Sequence, residues 1–250
     1  MKSLIVANWK MNPPTLKDAK ALLSATKKAL QGAGNVSVVV APPAVFVRTL
    51  AEGARKGKIS FGVQNAHFDA GGAHTGEISM DQAREAKASY VIVGHAERRA
   101  MGETNVEIGK KVAAALKAGV TPIFCIGERE RDPGGSHFLF VRDQIVEGLA
   151  ETPPNKIAKI IVAYEPVWAI GATETMLPRD MHEMSIFIRK SVVERYGDGG
   201  YDIKILYGGS VDATSAPHML RNGDVIGLLV GRASAEIGAV TELIAAVAAA

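Results

Sequence analysis

The sequence predicts one α/β domain over residues 1–250, built as a closed (β/α)8 barrel. Three observations lead there: β-branched apolar runs alternate with longer stretches of helical Ala and Leu spacing, the alternation repeats eight times, and the strand runs are continuously apolar. Continuous runs are what a parallel sheet covered on both faces requires. A doubly wound open sheet would usually carry fewer strands and a glycine-rich turn after the first, where this chain has Asn8-Trp9-Lys10-Met11-Asn12. A length of 250 residues fits one barrel.

Strands are expected at Leu4–Asn8, Val36–Ala41, Ile59–Gln64, Tyr90–Gly94, Thr121–Ile126, Ile160–Tyr164, Ile203–Tyr207 and Val225–Val230. The helices between them fall at Leu16–Leu30, Ala44–Ala54, Met80–Lys87, Asn105–Ala118, Phe138–Leu149, Arg179–Tyr196, Ala213–Arg221 and Ile237–Ala248. No linker or low-complexity stretch divides the chain, and the alanines from 246 to 250 are expected to fray.

Composition narrows the function. With 47% hydrophobic and 22% charged residues the chain can bury a large core, which excludes disorder. The net charge of +3 comes from scattered basic residues, so no nucleic-acid partner is indicated. A single cysteine, Cys125, excludes an internal disulfide and a Cys-based metal site. The short apolar run after Lys2 is too brief for a signal peptide, and no run approaches the roughly 20 residues of a membrane helix. The reading is a soluble cytoplasmic protein that needs neither a metal nor an organic cofactor.

In a barrel of this kind, groups that do chemistry lie just beyond the C-terminal ends of the strands. The first strand ends in Asn8 and Lys10. The fourth ends in Gly94-His95-Ala96-Glu97-Arg98-Arg99, and the sixth in Tyr164-Glu165-Pro166-Val167-Trp168-Ala169-Ile170-Gly171. The seventh runs into Gly208-Gly209-Ser210 and the eighth into Gly231-Arg232. In isolation Glu165 reads as a solvated carboxylate, His95 as a structural histidine, Lys10 as a surface lysine, and the glycines as tight turns. Position changes those readings. Glu165 precedes an apolar loop that can exclude water, which suits a base, and His95 begins a short helix whose positive end favours a neutral ring.

Together ANWKMN, VGHAERR, CIGE, AYEPVWAIG, LYGGS and LLVGRAS, in order along the chain, resemble the triosephosphate isomerase family and its TIM barrel. The resemblance implies interconversion of dihydroxyacetone phosphate and D-glyceraldehyde 3-phosphate through an enediolate, with Glu165 as base and neutral His95 as electrophile, a pairing that is itself a standard illustration of tuned acid–base chemistry. It further implies that Lys10 supplies positive charge, that Asn8 supports Lys10 or the substrate oxygen, and that Glu97 orients charge. Substrate phosphate would meet Asn8, Lys10, Gly171, Ser210, Gly231 and Arg232, beneath a lid from Pro166 to about Met176. The stretch Gln64–Phe68 followed by Gly72–Glu77 resembles the family's interlocking third loop, implying a homodimer through the loop around Thr75.

Three positions depart from the family pattern. Ala96 stands where serine is usual, which predicts an altered resting placement of Glu165 with activity retained. The lid ends in Ala172-Thr173-Glu174-Thr175-Met176 in place of the commoner glycine and lysine, and Arg232 replaces a second glycine, so its side chain must point away or contribute charge. Two alternatives stay open: isomerisation of a longer sugar phosphate, and a phosphate-ligand binding protein without turnover.

Overall fold

The computed structural model describes residues 3–54, 57–171 and 175–250. Eight parallel strands close on themselves in sequence order: β1 (Ser3–Asn8), β2 (Val36–Ala41), β3 (Ile59–Val63), β4 (Tyr90–Val93), β5 (Thr121–Ile126), β6 (Ile161–Tyr164), β7 (Lys204–Tyr207) and β8 (Gly227–Val230). The helices are α1 (Leu16–Ala29), α2 (Ala44–Glu52), α3 (Met80–Glu85), α4 (Ala96–Ala100), α5 (Asn105–Ala118), α6 (Ser136–Gly148), α7 (Pro178–Tyr196), α8 (Ser215–Asn222) and α9 (Ile237–Ala248). This is the expected TIM barrel, with the short helix after β4 in place.

Successive side chains on a strand point to opposite faces, and both faces here are apolar. One set fills the barrel interior: Val6, Val39, Ile92, Ile123, Ile161, Leu206 and Leu229. Their neighbours, including Ile5, Val38, Val91, Phe124, Val162, Ile205 and Leu228, pack outward against the helices. Hence the strands read as unbroken hydrophobic runs.

Several boundaries differ from the sequence reading for local reasons. Helix α6 begins at Ser136, two residues before Phe138, because the Asp132 carboxylate accepts from the Ser136 amide at 3.1 Å and satisfies an otherwise free helix-end donor. Helix α5 starts as expected: Thr104 and Glu107 form a reciprocal capping box, and it ends at Gly119 in the left-handed conformation. Strand β8 begins at Gly227 and not at Val225, where pairing with β1 starts. Among the described residues no helix is long and apolar enough to cross a membrane.

Closure is made by β1 against β8, in the register Leu4↔Gly227 through Ala7↔Val230. Only glycine permits that approach, because a Cβ on residue 227 would lie 1.9 Å from the Leu4 carbonyl oxygen. Gly227→Ala is therefore expected to destabilise the fold by about 3 kcal/mol, the upper part of the range for overpacking a tight core. The check is the urea midpoint of unfolding, and an unchanged midpoint would show that the seam can open without cost.

Candidate active site

A cleft of about 710 Å³ opens at the C-terminal end of the barrel. Asn8 and Lys10 reach it from β1, His95 from β4 and Glu165 from β6. Gly171 borders it from the lid, Ser210 from the turn after β7, and Gly231 with Arg232 from the turn after β8. Of the catalytic and phosphate-binding residues nominated from sequence, Glu97 alone does not line the cleft, and it joins the site through Lys10.

His95 caps α4. Its Nδ1 accepts from the Glu97 backbone N–H at 3.2 Å, so the ring proton belongs on Nε2 and the side chain is the neutral tautomer. That Nε2 lies 3.2 Å from Glu165 Oε1, with both residues buried. The second Glu165 oxygen accepts a long bond of 3.4 Å from the Ala96 backbone N–H. This resting position of the carboxylate uses a backbone donor and needs no hydroxyl on residue 96.

The Glu165 backbone is pinned as firmly. Its N–H donates to the Ile126 carbonyl at 2.7 Å, and the following turn is tied by Gly208 N–H donating to the Tyr164 carbonyl at 2.8 Å. A Cβ on residue 127 would meet the Glu165 carbonyl oxygen at 1.9 Å, so Gly127 is what lets β5 approach this closely. Cys125, on the same strand, is buried and free. Burial, and then the charge of Glu165, push its thiol well above the ordinary range and keep it protonated.

Lys10 has φ of +53°, a left-handed conformation that costs a residue with a side chain roughly 1–2 kcal/mol. Two contacts hold it there: its N–H donates to Asn8 Oδ1 at 3.2 Å, and its carbonyl accepts from Gln64 Nε2 at 2.8 Å. The ammonium then reaches Glu97 Oε1 at 2.6 Å and lies close to Gly231. For Glu97, burial pushes the carboxyl upward, but the Lys10 hydrogen bond and charge outweigh it and hold the group below the usual range.

In this structure Trp168 does not border the cleft; its Nε1 donates to Glu128 Oε1 at 2.9 Å and its ring lies under the Arg131 guanidinium. Only Ile170 and Gly171 of the described lid border the cleft. Trp168 turns away because Glu128 is fully buried and needs donors, which Tyr164 (2.8 Å) and Arg131 (3.1 Å) also supply. Burial and then the Glu128 charge push the Tyr164 hydroxyl well above its ordinary range. Ala172-Thr173-Glu174, at the lid's far end, lie outside the described residues. Arg232 and Gly171 meet at the border of the cleft, the guanidinium nitrogen within 4 Å of where a side chain on Gly171 would start.

Three contributors went unassigned in the sequence reading. Gln64 fixes Lys10, and Glu128 fixes Trp168. Arg99 ties the two strand ends together by donating to the Gly94 carbonyl at 2.8 Å and the Cys125 carbonyl at 3.0 Å. The signal for Glu128 and Arg99 was their presence in the CIGE and VGHAERR segments.

A parallel barrel whose strand ends gather a lysine, a histidine and a buried glutamate in one cleft is the architecture of a barrel enzyme. Comparison with known proteins agrees: the family model described as "Triosephosphate isomerase" matches residues 3–247. A triosephosphate isomerase of Endomicrobium trichonymphae is 39% identical over 246 residues, covering 97% of this chain and 98% of that protein. One of Idiomarina loihiensis is 39% identical over 235 residues, covering 93% and 92%. The chain belongs to the triosephosphate isomerase family and is an isomerase.

The Lys10–Glu97 pair yields a test. A carboxylate held low contributes stability above its unfolded-state value, and the contribution fades as pH falls through the depressed one. Lys10→Met removes the two largest lowering interactions, the Lys10 hydrogen bond and charge, and leaves the burial effect, so the Glu97 carboxyl should titrate at higher pH than in the parent protein. Carbon-13 NMR of the side-chain carboxyls measures this; an unmoved titration would mean that Lys10 does not set the charge state of Glu97.

Proposed function

We propose that the protein interconverts dihydroxyacetone phosphate and D-glyceraldehyde 3-phosphate through an enediolate, with Glu165 as base and neutral His95 as electrophile. The observation that carries this reading is the opposition of Glu165 Oε1 and His95 Nε2 at 3.2 Å, with Nδ1 of the ring already occupied as an acceptor. A carboxylate and an N–H donor facing one space can remove a proton from carbon while protonating the adjacent oxygen. In the forward direction Glu165 takes the proton from C1, and His95 Nε2–H polarises the C2 carbonyl. His95 then moves a proton between the two enediolate oxygens, and Glu165 returns its proton to C2. Every proton removed is given back, so the reaction is a net isomerisation.

Lys10 stabilises negative charge developing on the oxygens, and Asn8 holds the Lys10 backbone. The backbone N–H groups of Gly171, Ser210, Gly231 and Arg232 receive the phosphate, with the Arg232 guanidinium adding charge. Binding energy from this remote group is available to close the lid over the reacting carbons. No metal or organic cofactor enters these steps. The protein is further read as a cytoplasmic homodimer joined through the loop around Thr75, which is supported by the exposure of residues 69–77.

The experiment is the steady-state rate of glyceraldehyde 3-phosphate conversion in a coupled assay, with Glu165→Gln beside it. The parent should approach a kcat/KM of about 10⁸ M⁻¹s⁻¹, close to the diffusional ceiling. The variant should lose roughly 10³- to 10⁴-fold in kcat while still binding a phosphate-bearing inhibitor. A variant retaining parental turnover would remove Glu165 from the chemistry. A parent without turnover on trioses would overturn the substrate assignment.

A further inference from the structure

Arg99 lies on α4, does not border the cleft, and spreads its guanidinium over three elements. Its Nε donates to the Gly94 carbonyl at 2.8 Å, just past the end of β4, and Nη2 donates to the Cys125 carbonyl on β5 at 3.0 Å. Nη1 donates to Asn105 Oδ1, on the first residue of α5, at 2.5 Å. All three acceptors are neutral, so what these contacts use is the planar fork of diverging donors more than the charge.

The pairing of β4 with β5 ends at Val93↔Phe124. The next residues in that register are Gly94 and Cys125, the two whose carbonyls Arg99 holds. The guanidinium therefore carries the alignment of the strands one residue beyond the ladder, to the peptides that serve the reacting groups. The Gly94 carbonyl belongs to the peptide leading into His95, and the His95 carbonyl accepts from the Arg99 backbone N–H at 3.0 Å, so His95 is held from both sides. On β5, Cys125 immediately precedes Ile126, whose carbonyl accepts the Glu165 N–H at 2.7 Å. The junction is tight. Gly94 has φ of +72°, and a Cβ there would lie 3.0 Å from Ile108 Cδ1, 3.1 Å from the Cys125 carbonyl oxygen and 3.2 Å from Arg99 Nη2.

We infer that Arg99 is a positioning residue for the reaction: its fork fixes the offset between the ends of β4 and β5, and thereby the approach of His95 Nε2 to Glu165 Oε1. The inference rests on the reading of those two residues as the reacting pair. A misplacement of about 1 Å at reacting atoms costs roughly 10²-fold in rate. The proposed phosphate contacts follow β7 and β8, which the fork does not touch, so the effect falls on kcat and spares affinity. Lysine cannot substitute, because one ammonium on a flexible stem does not reproduce a rigid fork aimed at three fixed acceptors.

The test is the steady-state kinetics of Arg99→Lys, with calorimetric titration of glycerol 3-phosphate, a carbonyl-free analogue of the proposed substrates. The expected result is a kcat lower by about 10²-fold and a glycerol 3-phosphate Kd within about threefold of the parent's. A residue that only braced the fold would lower the urea midpoint and leave kcat of the folded enzyme parental, and that outcome overturns the inference. A loss of affinity as large as the loss of kcat overturns it too, since it marks general damage to the cleft. Asn105→Ala frees one arm of the fork away from the reacting groups, and it serves if Arg99→Lys does not fold. It should lower kcat by about fivefold with Kd unchanged, and a parental kcat there counts against the inference equally. Glu165→Gln is measured beside both variants. Parental turnover in Glu165→Gln defeats the reading of the reacting pair; an impaired Glu165→Gln beside an unimpaired Arg99→Lys defeats the inference alone.

Discussion

Closure of the sheet is the constraint from which the rest follows. A parallel sheet with open edges would leave a row of unpaired backbone groups on β1 and another on β8; joining the two removes both edges. Closure also fixes strand direction, so all eight C-terminal ends meet at one rim. Residues 10, 95, 165 and 231 are remote in sequence, yet they become neighbours because each follows a strand that cannot point elsewhere. The seam is tight enough to exclude a methyl group at Gly227, and the same economy recurs at Gly127, where β5 passes against the Glu165 carbonyl.

Within that rim, local strain is opposed by hydrogen bonds from outside the segment. Lys10 adopts an unfavourable backbone conformation and is kept there by Asn8 and Gln64. Its ammonium is thereby committed to the space between Glu97 and Gly231. His95 is fixed by a backbone amide of the helix it caps, which decides the tautomer without help from another side chain. The site is thus shaped mainly by main-chain geometry, and this is why a departure such as Ala96 can leave the Glu165 carboxylate with an amide partner.

The strands were legible in the sequence because burial on both faces leaves continuous apolar runs, a pattern that a short window carries whole. The placement of Asn8, Lys10, His95, Glu165, Ser210 and Gly231 at the cleft was legible because each sits at the end of such a run or just beyond it. Contacts across the barrel were not. Nothing in the neighbourhood of Trp168 states that its indole will turn toward Glu128, 40 residues earlier, and an apolar Val-Trp-Ala-Ile run alone suggests a cover. Arg99 and Gln64 look like ordinary surface residues until the strands they join are adjacent. His67 and His74 lie seven apart in a loop without periodicity, so only the turn at Gly72 reveals that their rings stack.

The Glu128 cluster shows how the loop after Glu165 can be tied to a buried charge and still be free to open under the proposed reading. Leaving a carboxylate unpaired in the interior costs several kcal/mol, so a lone Trp168 bond would lock the lid entrance. Glu128 has Tyr164 and Arg131 as well, and for Arg131 the pull of burial is outweighed by Tyr164 and Glu128, which hold its guanidinium charged. Withdrawing the indole therefore removes one donor of three and leaves no orphaned charge. What opposes the motion is a single charge-assisted hydrogen bond and the stacking of Arg131 on the ring, a total of about 2–3 kcal/mol at most. Under the proposed reading, interactions of that size can be offset by grip on a substrate phosphate where Gly171 and Arg232 stand close together.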